Sequence, residues 1–508
     1  MSDEKKIKSV LISVFEKHNL DSLLECLHHF HIDIFSTGGT YEYIQKKGIP
    51  CTTVESITSY PSIFGGRVKT LHPTVFGGIL YRRENSSDVQ EASDFRVPPI
   101  DMVIVDLYPF EKTVASGAME EDIIEKIDIG GISLIRAAAK NHEDVLVVPG
   151  SSFYDEVVRL LNGKNGCTAL DDRRRFAAEA FNVSSHYDTA IFNYLNQPKR
   201  IKSFRKSYNT EYPMRYGENP HQEGAFYGDL NEILEQLHGK AISYNNLVDI
   251  DASLNLISAF DDPTFVIIKH TNACGAASRK LLIEAWKDAL AGDPVSAYGG
   301  VIITNRIIDR KTAEEINKLF FEVITAPGYE PEALELLQSK KNRIILRKKE
   351  YPLPETSFRS LLNGVIEQSK DTKTETSGDL KPVTLLSPTA PEIRDLLFAN
   401  ILVKHTKSNA IVLVKNRQLI GSGIGQTSRV DSTKHAIAKA KEFKFDLKGA
   451  VMASDAYFPF ADCVELAHRE GISAVIEPGG SIRDEDSIKY CNENGISMVF
   501  TGYRHFKH

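Results

Sequence analysis

The stretch that decides the fold runs from Phe265 to Ala277, FVIIKHTNACGAA. Four apolar residues, Phe265, Val266, Ile267 and Ile268, stop abruptly at Lys269-His270. A short apolar, β-branched run bounded by polar residues reads as a buried strand. The small residues that follow, Ala273, Gly275, Ala276 and Ala277, read as a loop that stays close to the strand end and leaves room for a ligand. An ammonium and an imidazole where a buried strand surfaces suit proton transfer at neutral pH.

Strand, loop and helix alternate on either side of this stretch, which gives an α/β chain. Towards the N-terminus, Ser9–Val14 reads as a strand and Leu20, Leu23, Leu24 and Leu27 as one face of a helix. A second strand, Ile32–Phe35, breaks into Ser36-Thr37-Gly38-Gly39-Thr40 before a helix at Tyr41–Lys47. In that order, backbone N–H groups and a helix N-terminus hold phosphate. Gly65-Gly66-Arg67-Val68-Lys69-Thr70-Leu71-His72-Pro73 places two fixed cations, a hydroxyl and an imidazole together, with no acid between Tyr60 and Tyr81. Such a run fits an anionic ligand better than a solvated face. Val103–Leu107 is a further buried strand that delivers Asp106 and Tyr108, and Ile127–Gly131 precedes a helix bearing Arg136 and Lys140. Parallel strands present ligands at their carboxyl ends, so these segments point to one converging site.

The polar segment Asn196–Lys206 follows a long helical run, Arg173–Leu195, and reads as a linker. The expected domains are residues 1–197 and 198–508, the second divided near 368–385, where Gln368–Lys381 is a polar loop. Beyond the linker, Met214–Gln222 is rich in hydrogen-bonding groups, and Asp293–Gly300 is a small-residue loop running into strand Val301–Thr304. Val403-Lys404-His405-Thr406 reads as another apolar strand surfacing into Lys-His-Thr, with Asn409 close behind. With Lys269-His270-Thr271-Asn272 it suggests two similar halves. Gly421–Arg429 and Glu477–Arg483 are glycine loops ending in arginine, and Met452–Phe460 offers aromatics for stacking on a planar ligand or, equally, a buried strand and corner.

Composition narrows the class. The 508 residues imply about two to four domains. A net charge of −7, from 61 basic and 68 acidic residues, argues against nucleic-acid binding. Six scattered cysteines form no C-x-x-C pair, and neither a secretory leader nor an 18-residue apolar stretch is expected, so the protein reads as cytoplasmic, without a membrane partner. P-loop, G-x-G-x-x-G, zinc-deaminase and nucleophile-elbow signatures are all missing.

GGRVKTLHP, DLYPF, IDIGGISLIRAAAKN, RYGENPHQ, KHTNACGAA, SNAIVLVKN, GQTSR, SDAYFPF, PGGSIRDED and TGYRHF lie in this order over nearly the whole chain. Together they resemble the bifunctional purine biosynthesis family, which joins 5-aminoimidazole-4-carboxamide ribonucleotide (AICAR) formyltransferase to inosine monophosphate (IMP) cyclohydrolase. The resemblance implies an N-terminal methylglyoxal-synthase-like α/β domain with a parallel sheet that closes the purine ring. It also implies a C-terminal region of two cytidine-deaminase-like α/β subdomains that transfers the formyl group of 10-formyltetrahydrofolate. The implied partners are small molecules (AICAR, its formylated product FAICAR, and folate) and a second copy in a homodimer. No metal is implied, and a monovalent cation is left open.

By motif, the resemblance gives Lys140 the cyclohydrolase acid/base position, helped by Lys69, Tyr108 and Asp128, with the nucleotide held by Lys17, Thr37, Gly38, Gly39, Thr40, Arg67, Thr70 and Asp106. In the transferase, His270 is the proton acceptor, Lys269 stabilises the transition state, and Asn409 stands nearby. Substrate falls to Arg215, Tyr216, Gly299, Glu322, Arg429, Tyr457 and Arg504; Val430, Asp462, Gly479 and Gly480 face the folate. A rival reading, a ligand-binding protein without turnover, is disfavoured because Lys269, His270 and Lys140 are all present. Two departures bear on the cyclohydrolase. Ser13–Asn19 lacks a hydroxyl and a glycine usual in the family's first loop, and Asp106 stands where asparagine is common, so that its charge repels phosphate unless Arg67 or Lys69 pairs with it.

Overall fold

The computed structural model describes residues 4–508 and divides into two compact units, Met1–Asn209 and Thr210–His508. The segment expected as a linker falls at the end of the first unit. There Asn196 ties it into a turn, its Oδ1 accepting from the Ile201 amide at 2.8 Å.

In the first unit a five-stranded sheet runs in the order Thr52–Thr53, Asp33–Ser36, Ser9–Ser13, Met102–Val105, Leu146–Val148, with every pair parallel. The central strands are continuous apolar runs because helices cover both faces. Leu20, Leu23, Leu24 and Leu27 are all buried on helix Leu20–His29, as their spacing predicts. The helix expected at Tyr41 starts earlier, at Gly38, with Thr37 as its N-cap, so both glycines of the STGGT loop lie in its first turn.

In the second unit a twelve-stranded mixed sheet contains two copies of one arrangement, in mirrored order. Hairpin Thr264–Lys269/Asn272–Ser278 answers hairpin Ile411–Lys415/Gln418–Gly423. On the far side of each, three strands follow: Val301–Thr304, Val323–Ala326 and Ile344–Lys348 in the first half, Val451–Ser454, Ala474–Glu477 and Ser497–Phe500 in the second. The copies meet at one strand pair, Ala277 opposite Gln418. Helices Tyr244–Ile257 and Ala390–Lys404 belong to the apolar layer shared by both halves.

Two expectations are corrected here. Asn272–Ser278 is not a loop but the second strand of the hairpin, and its alanines Ala273, Ala276 and Ala277 are buried in the core. Helix Leu282–Gly292 lies so close that a Cβ on Gly275 would collide with the Ala289 carbonyl oxygen; in the second half a Cβ on Gly421 would meet the Ala436 carbonyl oxygen. Nor is Lys404 the end of a strand. It closes the helix Ala390–Lys404, with His405 as C-cap. By register, Ile267 opposite Gly275 matches Leu413 opposite Gly421, each followed by a bulge. The true counterpart of Lys269–Asn272 is therefore Lys415–Gln418. The duplication is real, but the sequence match that suggested it is not part of it.

Because the clash at both glycines is with backbone, neither can be relieved by a rotamer change. Gly275→Ala and Gly421→Ala are each expected to destabilise the second unit by about 1–3 kcal/mol, read as a lower denaturation midpoint at unchanged slope.

Candidate active sites

In the first unit the strand ends bring together most of the residues picked from sequence. Thr40 Oγ1 donates to the Val14 carbonyl at 2.9 Å and accepts from the Val14 amide at 3.2 Å, locking the first loop to the STGGT turn. Thr37 Oγ1 donates to Glu55 at 2.7 Å. The Lys69 ammonium lies 3.6 Å from where a Cβ on Gly38 would be, and Thr70 Oγ1 lies against Gly130. Asp128, buried, accepts from the Gly131 amide at 2.6 Å at the start of helix Gly130–Lys140. Burial raises its carboxyl pKa, against the pull of the Gly131, Ile132 and Tyr108 amides and of Lys69. Burial also raises the Tyr108 phenol, and Asp128 and Asp106 push it the same way. Lys69, Thr70, Tyr108, Asp128 and the Thr37–Thr40 turn thus form one polar cluster with cationic and acidic members.

Three further residues stand as follows. Lys140 is the exposed last residue of a helix whose first residue, Gly130, adjoins Asp128. At 1.5 Å per residue it stands about 15 Å down the axis. Arg67 is exposed and ion-paired with Glu125, from outside the acid-free run. Asp106 is paired with neither Arg67 nor Lys69. It accepts from the backbone amides of Phe15 and, at 2.9 Å, Glu16. Lys17 folds back onto the Val14 and Phe15 carbonyls, both at 2.8 Å, and burial lowers its pKa while Asp106 opposes. The altered first loop and the unusual carboxylate therefore satisfy each other, and the Phe15 ring packs edge-on against Tyr108.

In the second unit Lys269 and His270 stand at the tip of the first hairpin, as the strand reading predicts. His270 and Thr271 form the two-residue turn with φ of 51° and 64°. Non-glycine residues pay of order 1–3 kcal/mol for such backbone, and it persists only where the surroundings enforce it. The exposed imidazole is presented to solvent, and the Lys269 ammonium donates to the Tyr298 carbonyl at 2.5 Å, just over Gly299. An ammonium has three donors, so two remain for a ligand. Asn272 links this tip to the second half: its Oδ1 accepts from the Lys407 amide at 2.9 Å, two residues before Asn409.

Asn409 is held on both ends of its amide. Its Nδ2 donates to the Gln426 carbonyl at 3.0 Å, and its Oδ1 accepts from Arg429 at 2.9 Å. Arg429 is buried and ion-paired with Asp455, so its guanidinium orders Asn409 more than it faces solvent. Glu322 is paired with Lys240 at 2.5 Å. Arg215 lies over Tyr216, and Arg504 over Phe506, both exposed arginines. In the SDAYFPF corner both alternatives hold in part: Phe458 is buried, whereas Tyr457 and Phe460 are exposed. Val430 packs into the second half's outer core, Asp462 starts the helix Asp462–Arg469, and Gly479-Gly480 adopt positive φ beside Phe500. Sequence reasoning missed Asp249 and Asp455, whose only signal is position. Asp249 and Asp395 are each the sixth residue of their helices, and each caps its hairpin turn. Among the described residues no group of three His, Cys, Asp or Glu is arranged to hold a metal ion, and no helix is long and apolar enough to cross a membrane.

Comparison with known proteins is decisive. The AICARFT/IMPCHase bienzyme family matches residues 138–439, and the MGS-like domain family matches residues 19–133. A protein of Bacteroides thetaiotaomicron described as bifunctional purine biosynthesis protein PurH is 59% identical over 508 residues, all of both chains. The chain belongs to the AICARFT/IMPCHase bienzyme family. Proteins of the same description from Chlorobium chlorochromatii and Chlorobium luteolum are 45% and 44% identical over 99% of both chains. As a member of this family it is a bifunctional enzyme of purine biosynthesis, an AICAR formyltransferase and IMP cyclohydrolase, and its family draws the formyl group from formyltetrahydrofolate.

Beside the Gly479–Gly480 loop, Glu477 is fully buried. Its Oε2 accepts from the Phe458 amide at 2.6 Å, while its Oε1 has no partner. Burial lifts its pKa to about 8, with Asp484 adding to the rise and the Phe458 amide and Arg429 opposing it. A carboxyl raised in the folded state favours folding fully below its unfolded pKa and loses that contribution as pH rises through the folded value. Glu477→Gln is therefore expected to be more stable than the parent above pH ~8 and to lose this advantage by pH ~4, read from urea midpoints across that range.

Proposed function

We propose that formyl transfer takes place at the Lys269-His270 tip of the second unit, and ring closure at the cluster of Lys69, Thr70, Tyr108 and Asp128 in the first. The 5-amino group of AICAR is conjugated with its imidazole ring and is a poor nucleophile. It needs a base as it attacks the formyl carbon of 10-formyltetrahydrofolate. His270 takes that proton, and Lys269 meets the negative charge on the formyl oxygen of the tetrahedral intermediate. Removing such a donor typically costs about 3–4 kcal/mol in the transition state. The observation that carries this reading is the strained two-residue turn, which exposes His270 at the strand end directly after Lys269, whose ammonium is held by the Tyr298 carbonyl.

Ring closure is intramolecular: the carboxamide nitrogen attacks the formyl carbon already on the same molecule, and water is lost. Geometry supplies most of the acceleration. The cluster has to hold the nucleotide and shuttle protons. The Thr37–Thr40 turn, Lys69 and Arg67 are the phosphate anchors, and Asp128 and Tyr108 the proton carriers. Lys140 keeps its acid/base assignment only from family resemblance, since the geometry of the chain supports Lys69, Tyr108 and Asp128. The homodimer and a cytoplasmic location, both implied by resemblance, belong to this reading as well.

The two activities separate experimentally. With AICAR and 10-formyltetrahydrofolate the enzyme is expected to release IMP, followed by absorbance. His270→Ala is expected to abolish formyl transfer while cyclising supplied FAICAR at the parent rate. Asp128→Asn is expected to do the reverse, so that FAICAR accumulates. Loss of both activities in either variant would contradict two independent sites.

A further inference from the structure

We infer that Asp249 and Lys507 are positioning residues for formyl transfer, clamping the turn that carries His270 from opposite sides. The inference rests on His270 being the proton acceptor. Asp249, half-buried on helix Tyr244–Ile257, accepts from the Thr271 amide at 2.7 Å. On the other side the Lys507 ammonium donates to the His405 carbonyl at 2.9 Å and reaches the Thr271 carbonyl at 3.5 Å. The two peptide planes that flank the Thr271 Cα are thus gripped from opposite sides, the first at its N–H by Asp249 and the second at its carbonyl by Lys507. Asn272 Nδ2 adds a bond to the His270 carbonyl at 2.8 Å.

Lys507 is itself well anchored. Its backbone exchanges hydrogen bonds with Ser408, amide to Oγ at 3.2 Å and carbonyl from the Ser408 amide at 2.9 Å. Two residues earlier the buried His505 lies between Asp371, at 2.6 Å, and Glu375, at 3.0 Å. The duplicated hairpin provides the contrast. Its turn, Asn416-Arg417, also has positive φ at both residues, and there Asp395 alone takes both amides, at 2.7 and 2.6 Å. In the first hairpin Asp249 takes one amide, and Lys507 supplies the second grip. Neither side chain touches the imidazole. Both act on the backbone that aims it, and displacing a reacting group by 1 Å costs on the order of 100-fold in rate.

The test is steady-state formyl transfer by Asp249→Ala, Asp249→Asn, Lys507→Met and Lys507→Arg in the full-length enzyme, with AICAR binding measured by calorimetry. Asp249→Ala and Lys507→Met are expected to lower kcat about 10- to 100-fold with KM and AICAR affinity unchanged. Asparagine keeps an acceptor and arginine a long cation, so Asp249→Asn and Lys507→Arg are expected to recover most of the rate. An unchanged kcat, a loss of AICAR affinity matching the loss of rate, or failure of both conservative variants to recover activity would overturn the inference. His270→Ala in the same assay separates the two readings. If it retains formyl transfer, the base assignment falls; if it is inactive while Asp249→Ala and Lys507→Met are normal, only the clamp falls.

Discussion

The Ala289 carbonyl pressing on Gly275 is the contact on which the second unit depends. It forces a residue without a side chain at the middle of the hairpin, lets helix Leu282–Gly292 lie against the sheet, and fixes Gly275 opposite Ile267. One residue later the register shifts, and the strand delivers Lys269 and His270 to its tip. Ala436 over Gly421 repeats the constraint in the second half, with the same shift after Leu413. The helix approach comes first, and the position of Lys269 and His270 follows from it.

This explains which parts of the fold were legible. Phe265–Ile268 announces itself because apolar β-branched residues fit a buried strand. Its partner strand does not, because alanine and glycine carry little strand preference; only the helix above it makes their smallness necessary. The reverse error occurred at Val403-Lys404. Helix Ala390–Lys404 buries residues around most of its circumference, Asp395, Asn400 and Lys404 included, so it lacks the polar stripe that distinguishes a helix from a buried strand. The duplication was sensed through a short string of matching letters, whereas its physical basis is register and helix contact.

In the first unit the glycine turn, Lys69, Thr70, Tyr108 and Asp128 were legible because parallel strands collect their loops at one end. The IDIGGISLIRAAAKN run spans a whole helix, so the Asp128 turn and Lys140 stand at its two ends, a separation the letters alone do not show. Asp106 was read as a threat to phosphate because its amide partners, Phe15 and Glu16, are backbone groups that no side-chain letter reveals. Two features that look like separate losses in the sequence form one hydrogen-bonded loop.

The doubled hairpin also gives the molecule an internal reference. His270-Thr271 and Asn416-Arg417 share register, sign of φ and an aspartate brace, but only the first carries an imidazole. Amide exchange at Thr271 compared with Arg417 therefore compares a turn that carries a histidine with one that does not, in the same chain, solvent and temperature. The difference in their opening free energies measures how much rigidity the enzyme spends on keeping a histidine exposed.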